Sequence, residues 1–132
     1  MPSFRDFVRQ VIVQNSYRVL AKAEATMLET GEKLVVLKVQ TADSLALEIF
    51  LADKTAARAS FLKRIVLPEK RDGYFNFRGN SANLVMSDID GDQIIDIIAP
   101  TFDDNLMPRL NVFKYIPDTK DFVRMGPDEL EL

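Results

Sequence analysis

The chain has 132 residues, of which 47% are hydrophobic and 28% charged, with a formal net charge of −3. This is the size and composition of one folded domain, not of a linker or a disordered tail. It has no Cys and no His, which excludes disulfides, zinc–thiolate sites, thiol catalysis and imidazole chemistry. No apolar run reaches the roughly eighteen residues of a membrane span, and no signal peptide is visible. Charge is uneven along the chain: residues 1–53 sum to −1, residues 54–80 to +5 and residues 88–132 to −7. The acidic third is the place to look for a cation site. The basic middle either faces an anionic partner or forms the solvated faces of strands.

The first element expected is a helix. Ser3 can cap it, with Asp6 three residues on at the positive end of the dipole. Phe4, Phe7, Val8 and Val11 fall on one helical face. After an interruption at Gln14-Asn15-Ser16, a second stripe of Tyr17, Leu20, Ala21, Met27 and Leu28 lies roughly opposite the first, and Gly31 is a stop signal. Residues 3–29 therefore read as one helix of about 40 Å with two opposed apolar faces. A competing pattern exists. Tyr17, Val19, Ala21, Ala23, Ala25 and Met27 also alternate with period two, which fits a strand turning at Glu29-Thr30-Gly31-Glu32. Ala is the best helix former and a poor strand former, so the helix is the expectation.

From residue 33 the pattern is that of strands. Val35, Leu37 and Val39 alternate within 33–40, and Leu45, Leu47, Ile49 and Leu51 alternate after the short turn Thr41-Ala42-Asp43. Phe61 to Leu67 is a third strand, closed by Pro68, and Tyr74 to Phe77 a fourth beyond a polar turn. Leu84-Val85-Met86 leads into an acidic loop and Ile94 to Ala99 leads out of it. Leu110 to Tyr115 and Phe122 to Met125 complete the set, joined by Pro117-Asp118-Thr119-Lys120. Short connections throughout predict an antiparallel meander. The expected architecture is α+β in a single domain, 1–132: helix 3–29 packed on a meander over 33–80, then a β-unit over 83–126 carrying the acidic loop.

That loop is the strongest chemical signal. Asp88, Asp90, Asp92 and Asp96 stand at positions 1, 3, 5 and 9 of nine residues, Asp88-Ile89-Asp90-Gly91-Asp92-Gln93-Ile94-Ile95-Asp96. A hard cation such as Ca²⁺ takes six to eight oxygens at roughly 2.3–2.6 Å. Alternate carboxylates in a tight loop can turn inward, the carbonyl of Ile94 can add an oxygen, and Asp96 closes the cage. Left without a cation, four carboxylates this close repel one another. The predicted metal ligands are thus Asp88, Asp90, Asp92, Ile94 and Asp96. It is not an EF-hand, since position 12 is Ala99 and the flanks are strand-like. Asp103-Asp104-Asn105 follows closely. It reads as a polar turn with Asn105 or Asp104 in the left-handed region, or else as the source of a sixth ligand or a second weak site, with Arg109 as its ion-pair partner.

Two stretches resemble known families. The segment from Leu84 to Met125, with its Asp-rich loop between apolar strands, is similar to the calcium loops of FG-GAP and VCBS-type repeats. It departs at Gln93, where those loops usually carry Gly, and a non-Gly residue at positive φ is strained. A single copy builds no β-propeller. At the other end, Pro2-Ser3-Phe4-Arg5-Asp6-Phe7-Val8-Arg9-Gln10 resembles the segment after the membrane stem in type IV pilin-like proteins, above all the minor pseudopilins of type II secretion. That likeness implies a pseudopilus subunit whose Phe4, Phe7, Val8 and Val11 pack on neighbouring subunits. It also implies an extracytoplasmic location, periplasm or cell surface, with the membrane met only through a deleted N-terminal stem.

The expected function is accordingly a structural assembly subunit with a Ca²⁺-ordered C-terminal loop, or else a stand-alone extracytoplasmic binding module of the VCBS type. An enzyme is not expected: there is no Gly-rich phosphate loop and no Gly-x-Ser-x-Gly, and a saturated carboxylate cage leaves no open position. Nucleic acid is not expected either. Tyr74, Phe75 and Phe77 between Arg71 and Arg78 resemble an aromatic RNA-stacking strand only superficially, and the element order is wrong for that fold.

Overall fold

A computed structural model of the chain describes residues 18–27, 30–55 and 57–126. The described residues are all β, in eleven strands: β1 Arg18–Thr26, β2 Lys33–Gln40, β3 Leu45–Ala52, β4 Ala59–Val66, β5 Arg71–Asp72, β6 Phe75–Phe77, β7 Asn80–Ala82, β8 Val85–Ser87, β9 Asp96–Phe102, β10 Pro108–Ile116 and β11 Asp121–Arg124. The chain divides between Lys70 and Arg71 into two compact units.

The first unit is an antiparallel sheet in the order β1-β2-β3-β4. Its β2 and β3 are buried on both faces. Val35, Leu37, Val39, Ala46, Phe50 and Ala52 form one apolar cluster, with Val19 and Ala59 packed against it. On the opposite face Leu34, Val36, Leu45, Leu47 and Ile49 are buried as well. The alternation seen in the sequence therefore marks two buried faces, not one buried and one wet. The predicted turn is present, with the Thr41 N–H donating to the Ser44 carbonyl at 2.9 Å.

The α+β expectation is corrected here. The stretch 18–26 is not the second half of a helix but strand β1, paired with β2 from Arg18↔Gln40 to Thr26↔Lys33, with a bulge between Val19 and Ala21. The period-two pattern was the operative one: Ala21, Ala23 and Ala25 are half-buried opposite Lys38, Val36 and Leu34, while Lys22 and Glu24 face outward and pair at 3.0 Å. The helical preference of Ala over strand-forming residues is under about 1 kcal/mol per residue. A full ladder of backbone hydrogen bonds to a buried neighbour outweighs it. Gly31, at φ +74, gives the hairpin its left-handed turn residue, and its N–H donates to the Met27 carbonyl at 2.9 Å.

Among the described residues no helix packs on the sheet, and the pilin-like and pseudopilin resemblance fails with it. So does the proposed contact with pilin-like subunits, which required that continuous helix. The stripe Phe4, Phe7, Val8 and Val11 lies outside the described residues.

The second unit is a five-stranded antiparallel sheet, with the path β11-β10-β9-β5 and β8 paired to β9 beside β5. Strand β9 thus has β10 along one edge and two short strands along the other, β8 at its start and β5 at its end. A small hairpin of β6 and β7 turns at Arg78 (φ +51) and Gly79 (φ +87), two successive left-handed residues as a tight hairpin requires. Ile98 of β9, Val112 of β10 and Met125 just past β11 form one apolar cluster, with Phe75, Val85, Ile89 and Leu110 packed on it. On the other face the buried Asn111 donates to the Ala99 carbonyl and to Thr101 Oγ1, both at 3.0 Å, and accepts from Arg124 at 2.7 Å. A polar side chain in that position is tolerated because its donors and its acceptor are engaged.

Candidate metal centre

The acidic loop is the connection between β8 and β9. The cross-strand pair Ser87↔Asp96 closes it, so Asp88 is its first residue and Asp96 opens the strand that follows. Ile89 anchors the loop by packing on the Ile98–Val112–Met125 cluster. The remaining loop residues then arch over a small volume. Oxygens of Asp88, Asp90, Asp92 and Asp96 lie within 4.8 Å of one another. Two oxygens on opposite sides of a Ca²⁺ ion stand about 4.6–5.2 Å apart, so the four carboxylates converge at the scale such an ion needs.

Backbone hydrogen bonds shape the loop. The Gly91 and Gln93 N–H groups donate to Asp88 Oδ1 and Oδ2 at 2.8 and 2.7 Å. The Asp92 N–H donates to Asp90 Oδ1 at 3.3 Å and the Ile94 N–H to Asp92 Oδ1 at 2.9 Å. Of the five predicted ligands, the four carboxylates are brought together, while for Ile94 the contact present is this N–H to Asp92. Asp96 differs from the others because it is 0% exposed. Its Oδ2 accepts from the Ile89 N–H at 3.0 Å, whereas its Oδ1 is buried with no hydrogen-bond partner. Burial pushes this carboxyl above the usual range, and the neighbouring Asp90 and Asp92 charges add to the shift. A buried, orphaned carboxylate oxygen beside three other carboxylates fits a bound cation.

Sequence reasoning missed Lys114. Strand β10 places it directly opposite Asp96, and residues opposite one another share a face of the sheet. Its Nζ donates to Asp90 Oδ2 at 2.6 Å and also to Asp92 Oδ2. Partial burial disfavours the ammonium, but these two hydrogen bonds and the two carboxylate charges outweigh that and raise its pKa. The same bond from Lys114 holds the Asp90 carboxyl below its usual range. A lysine in a predicted strand gives no sign of its cross-strand partner until the register is known.

The second acidic turn is separate. Strand β9 runs from Asp96 to Phe102, so Asp103 begins about 20 Å from the loop. Asp103 Oδ1 accepts from the N–H groups of Asn105 and Met107, both at 2.9 Å, and Arg109 pairs with its Oδ2 at 3.2 Å. The Met107 N–H above all holds this carboxyl below its usual range. Its role is that of a turn, not of a sixth ligand, and the left-handed residue is Leu106 (φ +63), not Asn105 or Asp104. The basic middle shows local partners: Arg64 pairs with Glu48 at 3.6 Å, and Arg78 stacks over Phe77 at 4.9 Å. Tyr74 packs edge-on against Phe102, with centroids 5.5 Å apart.

Gln93, the departure from Gly, adopts φ +69. A non-Gly residue there costs on the order of 1 kcal/mol, partly offset because Gly loses more entropy on folding. Gln93→Gly is therefore expected to raise the melting temperature by a degree or two, a gain of about 0.5 kcal/mol. Gln93→Val, β-branched at positive φ, is expected to lower it by more than Gln93→Gly raises it. Thermal melts of the three proteins check both signs. Compared with protein-family models, curated proteins and solved structures, the chain matches none.

Proposed function

We propose that this chain is an extracytoplasmic calcium-binding module, non-enzymatic, in which Ca²⁺ bound by Asp88, Asp90, Asp92 and Asp96 clamps the β8–β9 loop for the binding of a partner. The observation that carries the reading is Asp96 Oδ1, buried and without a hydrogen-bond partner beside three converging carboxylates. The donor set is all oxygen, which suits a hard cation and gives a thiolate-seeking metal nothing to prefer. Ca²⁺ is favoured over Mg²⁺ because four converging carboxylates suit its larger, oxygen-rich shell, whereas Mg²⁺ keeps its waters and takes only one or two. Bound there, the ion would supply charge neutralisation and loop order. We place the chain outside the cytoplasm, where calcium is abundant enough to fill even a site as weak as those of extracellular modules, about 10⁻⁴–10⁻³ M.

The test is a thermal melt of the whole chain in Ca²⁺, in Mg²⁺ and in chelator, with calorimetric titration of Ca²⁺. At roughly a hundredfold excess over the dissociation constant, Ca²⁺ should add about 2.7 kcal/mol of stability. For a chain of this length that is a rise of about 8–10 °C, with a smaller rise in Mg²⁺. Identical melts in Ca²⁺ and chelator, with no heat of binding, overturn the reading.

A further inference from the structure

We propose that Lys114 is a tethered counter-cation of the acidic loop, one that a divalent ion must displace and that thereby sets the loop's calcium affinity. The inference rests on the calcium reading above and concerns a residue outside the loop. Three observations carry it. Lys114 is fixed in β10 by its register with Asp96 on one side and Val123 on the other, so its side chain rises beside the closing carboxylate of the loop. Its Nζ bonds the Oδ2 atoms of Asp90 and Asp92 together, and so sits between two of the four converging carboxylates. The Asp92 and Ile94 N–H groups bond the Oδ1 atoms of Asp90 and Asp92, while the Oδ2 atoms of both turn to Lys114, so the lysine holds carboxylate oxygens that a metal in the loop would share.

An ammonium and a divalent ion bound to one carboxylate oxygen stand within about 5 Å of each other. Like charges that close repel in a partly desolvated site, and the more highly charged ion prevails only by releasing the lysine. The tether makes Lys114 a competitor at high effective concentration, always present and never diluted. It also gives the loop a positive charge when calcium is scarce, which keeps four neighbouring carboxylates from driving the β8–β9 connection open. One lysine thus lowers affinity for the ion and stabilises the calcium-poor state. Side-chain hydrogen bonds and a salt bridge alone would not predict the first of these effects.

Calcium titration calorimetry of the full chain, with melts in chelator, tests this on wild type, Lys114→Met and Lys114→Arg. Lys114→Met removes the charge and keeps an unbranched chain, one heavy atom shorter. It should bind Ca²⁺ at least about tenfold more tightly, close to 1.4 kcal/mol, and melt at a lower temperature than wild type in chelator. Lys114→Arg keeps the charge and should bind close to the wild-type value. If Lys114→Met does not fold in chelator, Lys114→Arg carries the test, and an arginine variant that binds tenfold more tightly overturns the proposal. Should wild type bind calcium and Lys114→Met bind it equally or more weakly, Lys114 is no competitor and the calcium reading stands alone. Binding by Lys114→Met but not by wild type supports the lysine as competitor and overturns the calcium function of the natural chain. Binding by none of the three overturns both.

Discussion

Asp96→Asn is expected to reverse sign with calcium: the variant should melt higher than wild type in chelator and lower in calcium. In chelator, the wild-type carboxylate is 0% exposed, has an oxygen without a partner, and is pushed toward protonation by burial and by Asp90 and Asp92. Keeping a charge there at neutral pH opposes folding. Asn is nearly isosteric and neutral. Its Oδ1 can keep the Ile89 N–H bond that Asp96 Oδ2 now accepts, and its NH₂ turns toward carboxylates that accept. The gain should be on the order of 1 kcal/mol, or about 3–4 °C. In calcium the balance inverts, because the amide replaces a charged ligand with a neutral one. A loss of about a hundredfold in affinity is expected, some 2.7 kcal/mol. Four melts, two proteins with and without calcium, give the result. A variant destabilised equally in both conditions would mean that Asp96 serves the fold and not an ion.

The sequence made some of this legible and hid the rest for identifiable reasons. The loop was legible because its signal is local. Asp at positions 1, 3, 5 and 9 with apolar flanks needs no knowledge of the distant chain, and the structure brings those four carboxylates together. Strands β2 and β3 were legible because Val, Leu and Ile alternate around a three-residue turn. Strand β1 was not. Its Ala-rich stretch satisfies both helical and strand periods, and what decides between them is the adjacent β2, a tertiary fact. The β6–β7 hairpin was missed because Arg78-Gly79 is not the usual Asn-Gly signal for a tight turn. Lys114 was invisible as a site residue for a related reason: its meeting with Asp90 and Asp92 depends on the β9–β10 register across eighteen residues of chain. Local chemistry reads directly from a sequence, whereas partners supplied by another strand wait for the pairing.

Gly73→Ala is expected to destabilise the same sheet while leaving calcium affinity unchanged, which separates the fold from the site. Gly73 is buried where β5 meets the end of β9, and its N–H donates to the Pro100 carbonyl at 3.2 Å. A Cβ added there would stand 2.6 Å from the Thr101 carbonyl carbon, 2.7 Å from its Cα and 2.8 Å from its nitrogen. All three are backbone atoms of a strand paired on both sides, so no side-chain rotation relieves the overlap. Either β5 lifts from β9, losing the Arg71↔Phe102 and Asp72↔Thr101 pairing, or β9 shifts against β10. Overpacking of this kind costs about 1–3 kcal/mol, a fall of roughly 4–10 °C for a chain of this length. The clash lies about 17 Å along β9 from Asp96, too far to alter the ligand oxygens directly. Calcium should therefore raise the melting temperature of Gly73→Ala by as much as it raises that of wild type, on a lower baseline. Where Asp96→Asn removes the calcium increment and raises the baseline, Gly73→Ala keeps the increment and lowers the baseline. An unchanged baseline in Gly73→Ala would show that β5 does not close against Thr101. A lost increment would show that the loop's geometry depends on the far end of β9.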